Sequence, residues 1–260
     1  ILTVTAPDTD ENRTITLPDA TGTLLTEVAD DAITLAKMAS GTDGNVISYD
    51  ASGNPVAVAT GSAGQVLTSA GAGAPPTFAA GGLVLVASSV DMTGGGTTYA
   101  SIIIDQCFTT DYENYLVVGG FGVEASGNCR VQMRIGGSGS ESTLTSGNYK
   151  YVGMDYENEN GSLTKNELAH DSDTEFPIAI DVTPVFSDGN FFNMWVYSPM
   201  NTATDTLLSL QMSSYDGDND ARDRRASCNV GNTDATGLFF ANSSGNLDEH
   251  AIYVYGLVKS

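Results

Sequence analysis

The sequence predicts an all-β protein in two parts. Residues 1–80 read as an elongated β-rich shaft with one short helix, built by association with copies of itself. Residues 81–260 read as a jelly-roll β-sandwich. Three observations lead there. Glycine is abundant, with 29 in 260 residues, and only 16% of residues are charged. That balance suits many turns and short strands rather than a helical bundle or a helix-rich α/β enzyme. A repeat of twenty residues runs through the end of the first part. Beyond it, short apolar runs alternate with clusters of Gly, Asn, Asp and Ser.

The first part holds only two aromatics, Tyr49 and Phe78, and little Leu, Ile or Phe. Alone it cannot bury enough apolar surface to offset about 1–2 kcal/mol of backbone entropy per residue. The repeat decides between disorder and self-assembly. Gly44-Asn45-Val46-Ile47-Ser48 returns as Gly64-Gln65-Val66-Leu67-Thr68, and Gly53, Pro55, Ala59 and Gly61 return as Gly73, Pro75, Ala79 and Gly81. Gly22-Thr23-Leu24-Leu25-Thr26 is a degenerate earlier copy. A strand and a turn at fixed period mark a stacked, elongated structure. Between the copies, residues 30–39 predict a short helix, with Asp30 or Asp31 as its cap and Lys37 near its end. Its apolar face is too small for an independent helix, but serves if three such helices meet on an axis. The predicted interface between copies is Ile33, Leu35, Met38, Val46, Ile47, Val66 and Leu67.

In the second part, residues 128–135 alternate: Cys129, Val131, Met133 and Ile135 face one way, and Asn128, Arg130, Gln132 and Arg134 the other. Residues 206–213 do the same, with Leu208, Leu210 and Met212 inward. The runs 115–118, 176–182, 191–197 and 251–258 are apolar on both faces and predict central strands between two layers. Trp195 lies in one of them and is expected in the core. Turns are expected at Gly94-Gly95-Gly96, at Gly136-Gly137-Ser138-Gly139, at Asp188-Gly189-Asn190 and at Ser243-Ser244-Gly245-Asn246. About ten strands with this rhythm suit a two-sheet jelly roll.

A net charge of −22 opposes nucleic-acid binding and adsorption to an anionic membrane, which both need clustered Lys and Arg. Acidity of this size keeps an exposed assembly soluble. No apolar stretch approaches the roughly 20 residues of a membrane-spanning helix, and no basic start followed by an apolar run marks a signal peptide. The chain opens on Ile1 rather than Met, as a processed chain or part of a longer one would. Cys107, Cys129 and Cys228 are too few and odd in number for a disulfide framework and read as reduced thiols made in a cytosol.

Two stretches resemble bacteriophage virion proteins. The first runs from Thr5-Ala6-Pro7-Asp8-Thr9 through Asn12-Arg13-Thr14-Ile15-Thr16-Leu17-Pro18-Asp19 to residues 31–39 and Pro75-Pro76-Thr77-Phe78. It is similar to segments of tail-fibre shafts. The second includes Tyr112-Glu113-Asn114-Tyr115-Leu116-Val117-Val118, Gly147-Asn148-Tyr149-Lys150-Tyr151 and the closing Ile252-Tyr253-Val254-Tyr255-Gly256-Leu257. It resembles the knob carried by such fibres. The resemblance implies a homotrimer, other tail or capsid proteins as partners, and a place in the virion after assembly in the host cytoplasm.

Several residues could carry chemistry. Recognition of a host-surface glycan would use exposed aromatics for stacking and polar groups for hydroxyls. Tyr156, Tyr215, Arg222 and Arg224 are the candidates. A polysaccharide depolymerase would need two carboxylates across a cleft. Asp155, Glu157 and Glu159 alternate along one stretch and Asp171, Asp173 and Glu175 along another, in polar surroundings that suit solvated loops better. Asp216, Asp218 and Asp220 begin like a calcium loop, but Ala221 and Ser227 stand where an EF-hand needs Gly and Glu. His170, expected in a polar loop, and His250, opening the last strand, form no zinc or triad spacing. The sequence therefore reads as a non-enzymatic virion fibre without a cofactor. It is expected to bind a host glycan, with a purely structural or decorating fibre as the alternative.

Overall fold

A computed structural model describes residues 40–92, 98–125, 127–145, 148–159, 161–182, 190–215 and 221–258. The expected helix with Ile33, Leu35 and Met38, the earlier repeat copy, the turn at 94–96 and the acidic loop with Asp216, Asp218 and Asp220 lie outside these residues. Every helix or strand among the described residues is a strand, and every pairing is antiparallel.

The repeat folds as two hairpins. β1 (Val46–Tyr49) pairs with β2 (Pro55–Val58), and β3 (Gln65–Thr68) pairs with β4 (Thr77–Ala80). Asp50 closes the first turn, its Oδ1 accepting from the backbone N–H of Ser52 and of Asn54 at 2.8 Å each. The repeat glycines Gly53 and Gly73 both have positive φ, 79° and 81°, where a Cβ is strained. The copies differ in register by one residue. Val46 faces Val58, whereas Val66 faces Ala79 rather than Phe78. The first return strand starts at Pro55, but the second starts only at Thr77, beyond Pro76, which has no N–H to give to a ladder where the first copy has Val56. Of the residues assigned to the interface between copies, Val46 is half-buried and Ile47, Val66 and Leu67 are exposed on the single chain, at 56%, 51% and 48%.

Beyond the hairpins, two sheets face each other across one core. The larger has eight strands in the order β11-β10-β15-β14-β13-β7-β17-β5. They are β11 (Ser162–Asp173), β10 (Tyr149–Glu159), β15 (Ala221–Gly231), β14 (Thr206–Tyr215), β13 (Phe191–Tyr197), β7 (Asn114–Val123), β17 (Leu247–Leu257) and β5 (Leu83–Asp91). The smaller has the order β12-β8-β16-β6, with β9 added to β8. These are β12 (Phe176–Val182), β8 (Gly127–Ile135), β16 (Ala235–Asn242), β6 (Ile102–Ile104) and β9 (Ser142–Thr143). Val117, Met194 and Leu208 of the larger sheet share one buried cluster with Met133, Leu238 and Phe240 of the smaller. The buried Tyr149 hydroxyl accepts from the Met133 N–H at 2.7 Å, joining the two sheets.

The alternating strands lie largely as their periodicity predicts. Cys129, Val131 and Met133 in β8, and Leu208, Leu210 and Met212 in β14, are buried. However, Ile135 is only half-buried, and Gln132, expected on the wet face, is buried and donates to the Thr174 carbonyl at 2.7 Å. The strands that are apolar on both faces divide. β7, β13 and β17 are interior to the larger sheet, but β12 is an edge strand of the smaller one. Interior strands need not be dry on both sides, because the larger sheet presents an outer face. On it, Leu85, Tyr255, Leu116 and Trp195 stand in one row across four strands. Next to it lies the row Ser88, Tyr253, Val118 and Asn193, then Val90, Ala251, Gly120 and Phe191. Trp195 is therefore half-buried outside the core, with Met194 and Val196 pointing inward beside it. His170 also departs from expectation: it lies in β11, stacked on Tyr151, rather than in a loop.

Candidate functional site

β15 sits between β10 and β14, and its register sets the candidate site. Ala226, Cys228 and Val230 point into the core, so the same parity sends Arg222 and Arg224 to the inner face. The cross-strand partners of these arginines are Glu157 and Asp155. Arg222 Nη2 lies 2.5 Å from Glu157 Oε1, each side chain about an eighth exposed at 12% and 13%. Arg224 Nη2 lies 3.0 Å from Asp155 Oδ2, and its Nη1 donates to the Pro177 carbonyl at 3.2 Å. Arg225, of opposite parity, is exposed and pairs with Asp223 at 3.0 Å.

Three of the four residues expected to recognise a glycan come together. Tyr156, Tyr215 and Arg222 line one open depression of about 370 Å³, with Leu163, Asn158 and Glu157. Tyr215 is 42% and Leu163 is 63% exposed. By parity Tyr156, Asn158, Leu163 and Tyr215 stand on the outer face, whereas Arg222 and Glu157 turn their side chains inward, so the surface offered is two phenol rings, an aliphatic side chain and an amide. Such a surface can stack on the apolar face of a sugar ring and hydrogen-bond its hydroxyls. Arg224 does not join it. It is buried and committed to Asp155, which corrects its expected role. The clue was present in the sequence, since the apolar Ala226, Cys228 and Val230 share its parity.

The carboxylates suit hydrolysis poorly. Asp155 and Glu157 do lie on one side of their strand, as their alternation predicts, but each is engaged by an arginine. Tyr151 OH donates to Asp173 at 3.1 Å, and Glu175 pairs with Arg130 at 3.0 Å. Asp171 is fully exposed, 4.0 Å from Lys150. Burial is the main reason that the Glu175 carboxyl is raised above the usual range. The carboxyls of Asp173 and Glu175 are thus tied to a tyrosine and an arginine at the β11–β12 corner.

Sequence reasoning missed two arrangements. On the outer face, Trp195 and Tyr197 stack with centroids 6.2 Å apart and planes 18° apart. A polar residue of the same parity, Asn193, was the signal. Inside, His250 Nε2 lies 2.8 Å from Ser89 Oγ, and the ring stands edge-on to Tyr99 at 5.1 Å. Nothing local announces that pairing, because Ser89 comes from the far end of the chain. The three cysteines are buried and unbridged, and burial pushes all three thiols up. Among the described residues, no group of His, Cys, Asp and Glu is placed to hold a metal, and no helix is long and apolar enough to cross a membrane.

No protein family, characterised protein or solved structure matches this chain.

Proposed function

We propose that the chain is a homotrimeric fibre protein of a bacteriophage virion, most plainly a tail fibre, whose C-terminal domain binds a host-surface glycan. The observation that carries this reading is the meeting of Tyr156 and Tyr215 in one open depression. The exposed Ile47, Val66 and Leu67 of the repeat hairpins support self-association, since a lone chain leaves them in water.

The strand order supports a jelly roll. Taking β5, β6, β7, β8, β12, β13, β16 and β17 as its eight strands, first and last are neighbours in one sheet, second and seventh in the other. This order is the one expected of a wrapped double Greek key. The hairpins β10–β11 and β14–β15 then widen the first sheet and carry the depression at their ends. Binding works by avidity: three weak sites on one axis act at high effective concentration.

A purely structural or decorating fibre is the second reading, favoured by the withdrawal of Arg224 into the core. A glycan array combined with native mass measurement separates the two. The recognition reading expects a trimer that retains a subset of glycans; a trimer that retains none leaves the spacer. A monomer at micromolar concentration removes the basis of both.

A further inference from the structure

We infer that the outer face of β5, β17, β7 and β13 is the seam along which the globular domains of neighbouring copies dock. This rests on the self-associating fibre proposed above and names the surface that reading lacks. The three rows that begin with Leu85, Tyr255, Leu116 and Trp195 contain no Asp, Glu, His, Lys or Arg, in a chain with 32 acidic and 10 basic residues. Charge borders these rows at Asp248 and Glu249 at the start of β17, and across the sheet it returns at β15 with Arg225 and Asp223.

Charge selects the occupant. Two copies each carrying −22 repel wherever acidic faces meet, and a charge-free face is where they can approach. A basic partner would instead be drawn to the acidic faces. Chain continuity points the same way. Only Gly81 and Gly82 separate β4 from β5, so hairpins that associate through Val66 and Leu67 deliver β5 to the same axis. Leu85 is 52% exposed on the single chain, as a residue awaiting cover would be. Strands about 4.8 Å apart and same-face residues about 6.8 Å apart give a patch of about 400 Å². This patch matches in size the largest on an ordinary soluble chain, and such patches are often functional. It falls short of the roughly 800 Å² per partner of a stable interface, so the seam docks domains that the repeats already hold together.

Trp195 is the only tryptophan and stands in one of these rows, so it reports directly. The experiment is acrylamide quenching of the full-length protein, with mass read by analytical ultracentrifugation. The wild type is expected to be a multimer with shielded Trp195. Leu85→Glu is expected to raise the quenching constant severalfold while circular dichroism is unchanged. Ser88→Glu, at a position already polar and exposed, is expected to do the same without risk to folding. A multimer whose Trp195 is freely quenched overturns the seam and leaves the fibre reading standing. A monomer overturns both, and if its Trp195 is shielded, a segment of the chain itself covers the face. Folded variants that leave shielding unchanged also overturn the seam.

Discussion

Arg224 and Asp155 form an ion pair with a 3.0 Å contact inside the sandwich, their side chains only 3% and 4% exposed. Arg224 also reaches the Pro177 carbonyl, so it ties β15 and β10 to β12 of the opposite sheet. Removing one partner leaves a buried charge unmatched, which costs about 3–5 kcal/mol. Asp155→Asn and Arg224→Met are each expected to lose about that much in urea denaturation. Arg224 Nε meets no acceptor among the described residues, so the desolvation of the pair is incompletely offset. The double variant Asp155→Leu/Arg224→Met is therefore expected to recover most of the loss. Single variants near wild type would show that the pair is not sequestered as described.

The thiols make folding sensitive to alkali. Burial pushes Cys228 up to about 12, and moves Cys107 and Cys129 further in the same direction. In the unfolded chain each ionises near 9.0. A folded value above the unfolded one gives stability that is complete below pH 9 and is lost as pH climbs through the range between them. The slope is about 1.4 kcal/mol per pH unit for each thiol. Urea midpoints are expected to fall steadily from pH 9 to 11. Cys228→Ala is expected to make that fall shallower, whatever its cost at neutral pH. Midpoints independent of pH over this range would contradict the burial.

How much of this was legible follows from parity and register. β8 and β14 were readable because their inward and outward residues differ in polarity at every step. β13 was not, because Phe191, Trp195 and Tyr197 make its outer side as greasy as its inner one. Parity alone places Arg222 and Arg224 on one side. That they meet Glu157 and Asp155 depends on β10 lying beside β15, a pairing across more than sixty residues. Local pattern does not encode such a register, which the whole sheet imposes. The depression of Tyr156 and Tyr215 was half legible: both sit near hairpin ends, but only the pairing of β10 and β14 with β15 brings them together.

Close backbone approach predicts a contrast between two glycines. A Cβ on Gly237 would stand 2.4 Å from the Ile104 carbonyl oxygen and 3.0 Å from Asp105 Cα. Both are backbone atoms of β6 and its end, which pair with β16 through only three residues. Gly237→Ala is expected to displace β6 and to cost about 1–3 kcal/mol, as overpacking does. A Cβ on Gly137 meets nothing within 4 Å, so Gly137→Ala is expected to be close to neutral. Thermal unfolding of the two variants tests the pair, and equal effects would place β6 elsewhere.

The depression and the avidity can be tested separately. Tyr156→Ala removes one of two rings lining the site, an aromatic contact of about 1 kcal/mol at a partly exposed surface. A soluble glycan that occupies one site should then bind about fivefold more weakly. Three sites engaged together lose about 3 kcal/mol, so binding to a glycan-coated surface should weaken by about a hundredfold or more. Tyr215→Ala should behave alike, and neither variant should change the urea midpoint by more than about 0.5 kcal/mol, since neither ring lies in the core. Equal losses on soluble and coated glycan would mean that each copy binds alone. No loss in either would move recognition away from this depression.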